Sequence, residues 1–130
     1  MKKPSFLFCV VLIFPLSCIN EFDIFGPVSG VVTVTTHATT LIAANSATSG
    51  GTIANTTNQV HLIDAGVCWS TSSNPSVADN QTNDGVGTGT FISNLIGLTP
   101  NTKYYVRAYV SDDSGIDYYG KEKSFKTLPQ

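Results

Sequence analysis

Apolar and polar residues alternate with a period of two in several short runs, each bounded by clusters of Gly, Pro, Asn, Asp, Ser and Thr. That period places successive side chains on opposite faces of a strand. Val31-Val32-Thr33-Val34-Thr35-Thr36 is β-branched throughout and predicts a first strand, which Ala38 to Ala44 extends past a kink near His37. Ala47 to Ile53 predicts a second strand, where Gly50 and Gly51 signal a bulge or a close approach between sheets. Asn55 to Gln59 reads as a polar turn. Leu62 to Ser70 is the clearest central strand, with Ile63, Ala65, Val67 and Trp69 on the core face and Asp64, Gly66, Cys68 and Ser70 on the other. Thr71 to Gly87 is too rich in turn formers to enter the core. From Gly87 a further strand turns Phe91, Ser93 and Leu95 inward.

Leu98-Thr99-Pro100-Asn101-Thr102-Lys103-Tyr104 predicts a corner. Pro100 fixes its own φ, Asn101 and Thr102 are turn formers, and Tyr104 can bury its ring while its hydroxyl meets upstream backbone. The strand that follows, Tyr104 to Ser111, turns Tyr104, Val106, Ala108 and Val110 inward and Tyr105, Arg107 and Tyr109 outward. Asp112 to Gly115 is a turn, and Tyr118 to Thr127 the last strand. Strict alternation would put Lys121 and Lys123 on the face of Tyr119 and Phe125, so a bulge is expected near Gly120. Strands at this spacing, with no convincing amphipathic helix, predict an all-β, two-sheet β-sandwich of about seven strands.

Two stretches sharpen that class. Leu98 to Tyr104 resembles the tyrosine corner of immunoglobulin-like sandwiches. Gly66-Val67-Cys68-Trp69-Ser70, leading into Asn74-Pro75, resembles the fibronectin type III-like domains of bacterial surface lipoproteins. The resemblance covers residues 31–128 and gives Trp69, Leu98, Pro100 and Tyr104 structural roles. It implies a domain that binds or adheres and does not catalyse.

The first 17 residues have a different character. Met1-Lys2-Lys3 is basic, Phe6 to Phe14 is almost unbroken apolar sequence, and Ser17-Cys18 follows. This is the layout of a secretory signal, and the apolar run is shorter than the ~20 residues of a permanent membrane helix. Ser17-Cys18 resembles the lipobox of bacterial lipoproteins, which implies acylation of Cys18 and attachment to a membrane through the N-terminal lipid; plain secretion with an incidental cysteine is the competing reading. The expected organisation is a signal peptide at 1–17, a tether at 18–30 and the sandwich at 31–128. Glu21 and Asp23 resemble acidic export signals, implying an outer-membrane lipoprotein of a Gram-negative bacterium, surface-exposed; on the residues alone, a solvated linker is the favoured reading of these two acids.

Composition narrows the chemistry. The net charge is -2, and loss of Lys2 and Lys3 with the leader would make it about -4, a poor match for nucleic acid. Of the three cysteines, Cys9 lies in the leader and Cys18 at its end, so Cys68 has no disulfide partner within the domain and is read as structural. His37 and His61 lack zinc-ligand spacing, and no nucleophile elbow or phosphate loop is present. Asp79, Asn83 and Asp84 offer oxygens to calcium, but Thr90 stands where an EF-hand needs its glutamate. No catalytic residue, metal or cofactor is expected. The remaining candidate for ligand binding is the outward stripe Tyr105, Arg107 and Tyr109, an arginine between aromatics suited to a glycan or protein ligand. Cross-strand packing explains the same stripe and is the favoured reading. The expected function is therefore a non-enzymatic surface binding or adhesion module, with a structural spacer or accessory subunit of an outer-membrane envelope complex as the alternative.

Overall fold

The computed structural model describes residues 31–56 and 60–130. The leader, Cys18 and the tether lie outside the described residues. Those described form eight strands and no helix: β1 (Val32–Thr36), β2 (Ala47–Asn55), β3 (Leu62–Ser70), β4 (Asn80–Gln81), β5 (Gly89–Leu95), β6 (Lys103–Asp112), β7 (Asp117–Tyr119) and β8 (Lys123–Lys126). One antiparallel sheet has the order β1-β2-β5. The other has the order β4-β3-β6, with β7 and β8 both running along the far side of β6. The described chain is an all-β, two-sheet sandwich.

The last predicted strand is interrupted. Tyr119 pairs with Tyr109 and Lys123 with Val106, so Gly120, Lys121 and Glu122 oppose only Arg107 and Ala108. The extra residue is the bulge that the parity of Lys121 and Lys123 required. Beyond His37 the chain stays beside β2 as far as Thr40, which bridges Thr48, without forming a continuous strand.

Val67, Trp69, Leu95, Leu98, Tyr104, Val106 and Phe125 pack as one buried cluster between the sheets. Trp69 is its largest member, and burying an aromatic of that size stabilises the fold by about 3 kcal/mol. Ile53, Ala65 and Val110 form a second cluster, with Leu62 packed against it. Gly51 lets the sheets come close: a Cβ there would lie 2.6 Å from the Ala108 Cβ. The registers of β2 with both neighbours run unbroken, so this glycine serves close approach and not a bulge.

One core assignment is corrected. Ile63 is 53% exposed. The β3–β6 register shifts between Leu62 and Asp64, which turns Leu62 toward the core and Ile63 out of it.

The two ends of the sandwich differ. At one end, Val31 meets Thr56, and Asp113 meets His61 through backbone hydrogen bonds. The chain enters the domain here. At the other, Leu98 meets Asn45, and Leu128 meets both Ala43 and Asn101. This is the corner end, where the Tyr104 hydroxyl accepts a hydrogen bond from Thr99 N at 2.9 Å and its ring stacks on Phe125 with centroids 5.7 Å apart.

Candidate functional site

Alternation does place Tyr105, Arg107 and Tyr109 on the outer face of the β3–β6 sheet, but that face is roofed. The connection from Ser70 to Gly89, predicted to stay out of the core, folds back across it and buries Pro75 completely. Pro75 O receives Arg107 Nε at 2.8 Å and Nη2 at 2.5 Å, with the Cys68 thiol donating at 3.5 Å. The guanidinium lies 4.0 Å from the centroid of the Tyr119 ring, and the Tyr119 hydroxyl accepts from Val77 N at 3.1 Å. Glu122 accepts from Ser73 Oγ at 3.0 Å and from Asn74 N. Arg107 is thus a clamp between the roof and the sheet, its charge facing an aromatic ring and a carbonyl.

Tyr109 is wholly buried, so its place in an exposed stripe is corrected. It pairs with Gly66 on β3, and its hydroxyl reaches across that glycine to donate to Thr82 O at 2.6 Å. A side chain at Gly66 would collide with the same carbonyl at 2.2 Å. Burial and the nearby Asp64 carboxylate push the Tyr109 phenol well above its ordinary range. Thr82 N and Asp84 N extend the β4 pairing by donating to Val67 O and Ala65 O.

Cys68 is also fully buried, under Pro75. Burial raises its thiol to about 11, against a smaller opposing effect of Arg107, so it is a protonated packing group at neutral pH. His61 Nδ1 sits 3.1 Å from Asp113 Oδ2 at the exposed entry end, and His37 Nε2 lies 2.8 Å from Thr52 Oγ1. Among the described residues, no three His, Cys, Asp or Glu side chains converge as a metal site would require. Trp69, Leu98 and Tyr104 are buried, and Pro100 is half-buried at the corner.

Tyr105 alone of the stripe remains available. It is half-buried, with Lys103 Nζ 5.1 Å from its ring centroid. Register places Lys126 directly opposite Lys103, and Ser124 opposite Tyr105. Lys103 and Lys126 were not singled out in the sequence because their pairing depends on the β6–β8 register. Once β6 and β8 are aligned through Tyr104 and Phe125, the lysine pair follows.

Charge is divided along the sandwich. Every lysine and the single arginine of the described residues lie on β6, β8 or the bulge before β8, in the half nearer the corner. Asp64, Asp112, Asp113 and Asp117 lie toward the entry end, and Asp84 joins them beside Ala65. The acids of the corner half, Asp79 and Glu122, are engaged within the roof by Ser76 N and by Ser73 and Asn74. A cavity of about 220 Å³ at the entry end is lined by Ile53, Ala65, Phe91 and the Asp84–Thr90 loop. The Asp84 carboxylate at its rim already accepts from Thr82 Oγ1 and Ser93 Oγ.

No family model and no curated protein matches the chain. Among solved structures it is similar to a short form of the sensor domain of the anti-sigma factor RsgI4 from Pseudobacteroides cellulosolvens, with 18% identity and a TM-score of 0.53 over 81% of this chain and 100% of that one. It is also similar to the solution structure of the same protein's sensor domain, with 20% identity and a TM-score of 0.56 over 76% of each chain. At this identity the likeness is one of fold.

Proposed function

We propose that the chain is a non-enzymatic, lipid-anchored surface protein of a Gram-negative outer membrane. Its fibronectin type III-like domain binds an anionic glycan through the basic corner half. The strand order β1-β2-β5 against β4-β3-β6-β7, together with the Tyr104 corner, supports the fibronectin type III assignment. The leader pattern and Ser17-Cys18 support the anchor. The observation that carries the binding role is the division of charge, with Lys103, Lys126 and Tyr105 grouped on the corner half, whose acids Asp79 and Glu122 are hydrogen-bonded within the roof. An aromatic face beside ammonium groups suits a sugar ring that bears carboxylate or sulfate. The neighbouring architecture in a sensor domain accords with recognition as a use of this fold, by analogy alone.

The test has two arms. Fatty-acid labelling of the full chain should vanish with Cys18→Ala, and the protein should leave the membrane fraction. Binding of acidic polysaccharides should fall with Lys103→Glu and Lys126→Glu and weaken as salt rises. Retention of glycan by the doubly substituted chain would remove the binding role. Absence of any glycan binding, with co-purification of one fixed partner, would favour the accessory-subunit alternative.

A further inference from the structure

The two sheets protect their edges unequally. On the β6 side, β8 carries Lys123 and Lys126, the kind of charged edge that discourages strand addition. On the β1 side, the neighbouring sheet covers the Thr36 end of the strand: Ala108 N donates to Thr36 Oγ1 at 2.9 Å, and Gly120 lies against Thr36. β5 has neither safeguard. It is a seven-residue strand, Gly-Thr-Phe-Ile-Ser-Asn-Leu, without charge or proline, and β2 is its one neighbour in the sheet.

Its unpaired backbone groups can be assigned. Gly50 O accepts from His37 N, and Thr48 exchanges two hydrogen bonds with Thr40, so the even residues of β2 point toward the β1 side. The odd residues therefore point toward β5, where Ser49 faces Ser93 and Gly51 faces Phe91. The N–H and C=O groups of Thr90, Ile92 and Asn94 are left facing outward. Among the described residues no other backbone outside the strand ladders pairs with them. Ile92 is 68% exposed on the same edge.

We infer that β5 is a strand-addition edge for a second copy of this chain, joined β5 to β5, antiparallel, about a two-fold axis at Ile92. The edge is complementary to itself. Centring the pair on Ile92 sets Ile92 against Ile92 of the second copy and each Thr90 against an Asn94. All the outward N–H and C=O groups of those residues then find partners, and no charge meets a like charge. Gly120 lies against the Thr36 end of β1, so β5 is the longer uncovered edge of the three-stranded sheet. Pairing β5 with β5 about a two-fold axis uses that edge in both copies and gives a closed pair.

Cysteine trapping in the full-length, membrane-borne protein tests this. Opposed residues of a hydrogen-bonded antiparallel pair have Cα atoms about 5.5 Å apart, within disulfide range. Ile92→Cys should give a reducible dimer under a mild oxidant. Thr33→Cys, exposed on the same face but on β1, where its own backbone is paired to β2, should stay monomeric. In a chain carrying Thr90→Cys and Asn94→Cys, adding Ile92→Lys should lower dimer yield to the Thr33→Cys level. An Ile92→Cys chain that remains monomeric while its thiol takes up maleimide would overturn the proposal, as would equal trapping at Thr33.

Discussion

At Tyr104 a single side chain joins the corner to the core. Its hydroxyl accepts the Thr99 N–H at 2.9 Å while its ring packs against Phe125. Tyr104→Phe keeps the ring and leaves that amide without its acceptor. The expected loss is about 1 kcal/mol, seen as a lower urea midpoint with unchanged slope. This residue was legible because its partner lies within the same short stretch, and Trp69 was legible because alternation alone buries it. Ile63 was misplaced because a register shift beside it is invisible to parity. Tyr109 was assigned to the correct face but not to the interior, since the segment that buries it arrives from Thr82, far along the chain.

The roof over β3 and β6 illustrates why some elements escape a periodicity argument. β4 is only Asn80–Gln81, both exposed, and its approach is held by a proline, a tyrosine hydroxyl and a guanidinium instead of an apolar face. Arg107→Ala should strip Pro75 O of its two N–H donors, costing about 1–3 kcal/mol, and hydrogen exchange should accelerate first at Val77 and Thr82. Arg107→Lys should recover little, because an ammonium reproduces neither the fork nor the stack on Tyr119. The β6–β7 hairpin is held by a different device. Buried Asp112 accepts from Ile116 N at 3.0 Å and Ser114 N at 2.9 Å through Oδ1, and from the Tyr118 hydroxyl at 2.9 Å through Oδ2. These bonds, led by that from Ile116, hold its carboxyl below the ordinary value of 3.8. A depressed acid contributes stability that is present above its unfolded value and is lost as pH falls through the folded one. Acid titration of unfolding should therefore be shallower below about pH 4 in Asp112→Asn than in the parent, because the variant has no such carboxylate to protonate.

On the scale of the molecule, strand direction converts a mixed sequence into a polarised surface. β6 begins at Lys103 and ends at Asp112, and antiparallel pairing brings Lys126 to the first end and Asp117 toward the second. Composition indicated only a small net charge; the division needed the registers. Lys103 and Lys126 stand opposite each other on exposed positions, and like charges so placed destabilise a sheet by a few tenths of a kcal/mol up to about 1 kcal/mol. Folding alone would favour an acid at one of them. Lys126→Glu should therefore raise the unfolding midpoint at low ionic strength, by an amount within that range that shrinks as salt screens the pair. If the lysines recognise an anionic ligand, the same substitution should weaken binding, so stability and affinity would move in opposite directions. Urea titration at two salt concentrations, alongside retention on an acidic polysaccharide, measures both on one protein. Stabilisation with undiminished retention would assign the lysine pair no part in recognition, and loss of both would mark Lys126 as a packing residue whose methylene stem matters more than its charge.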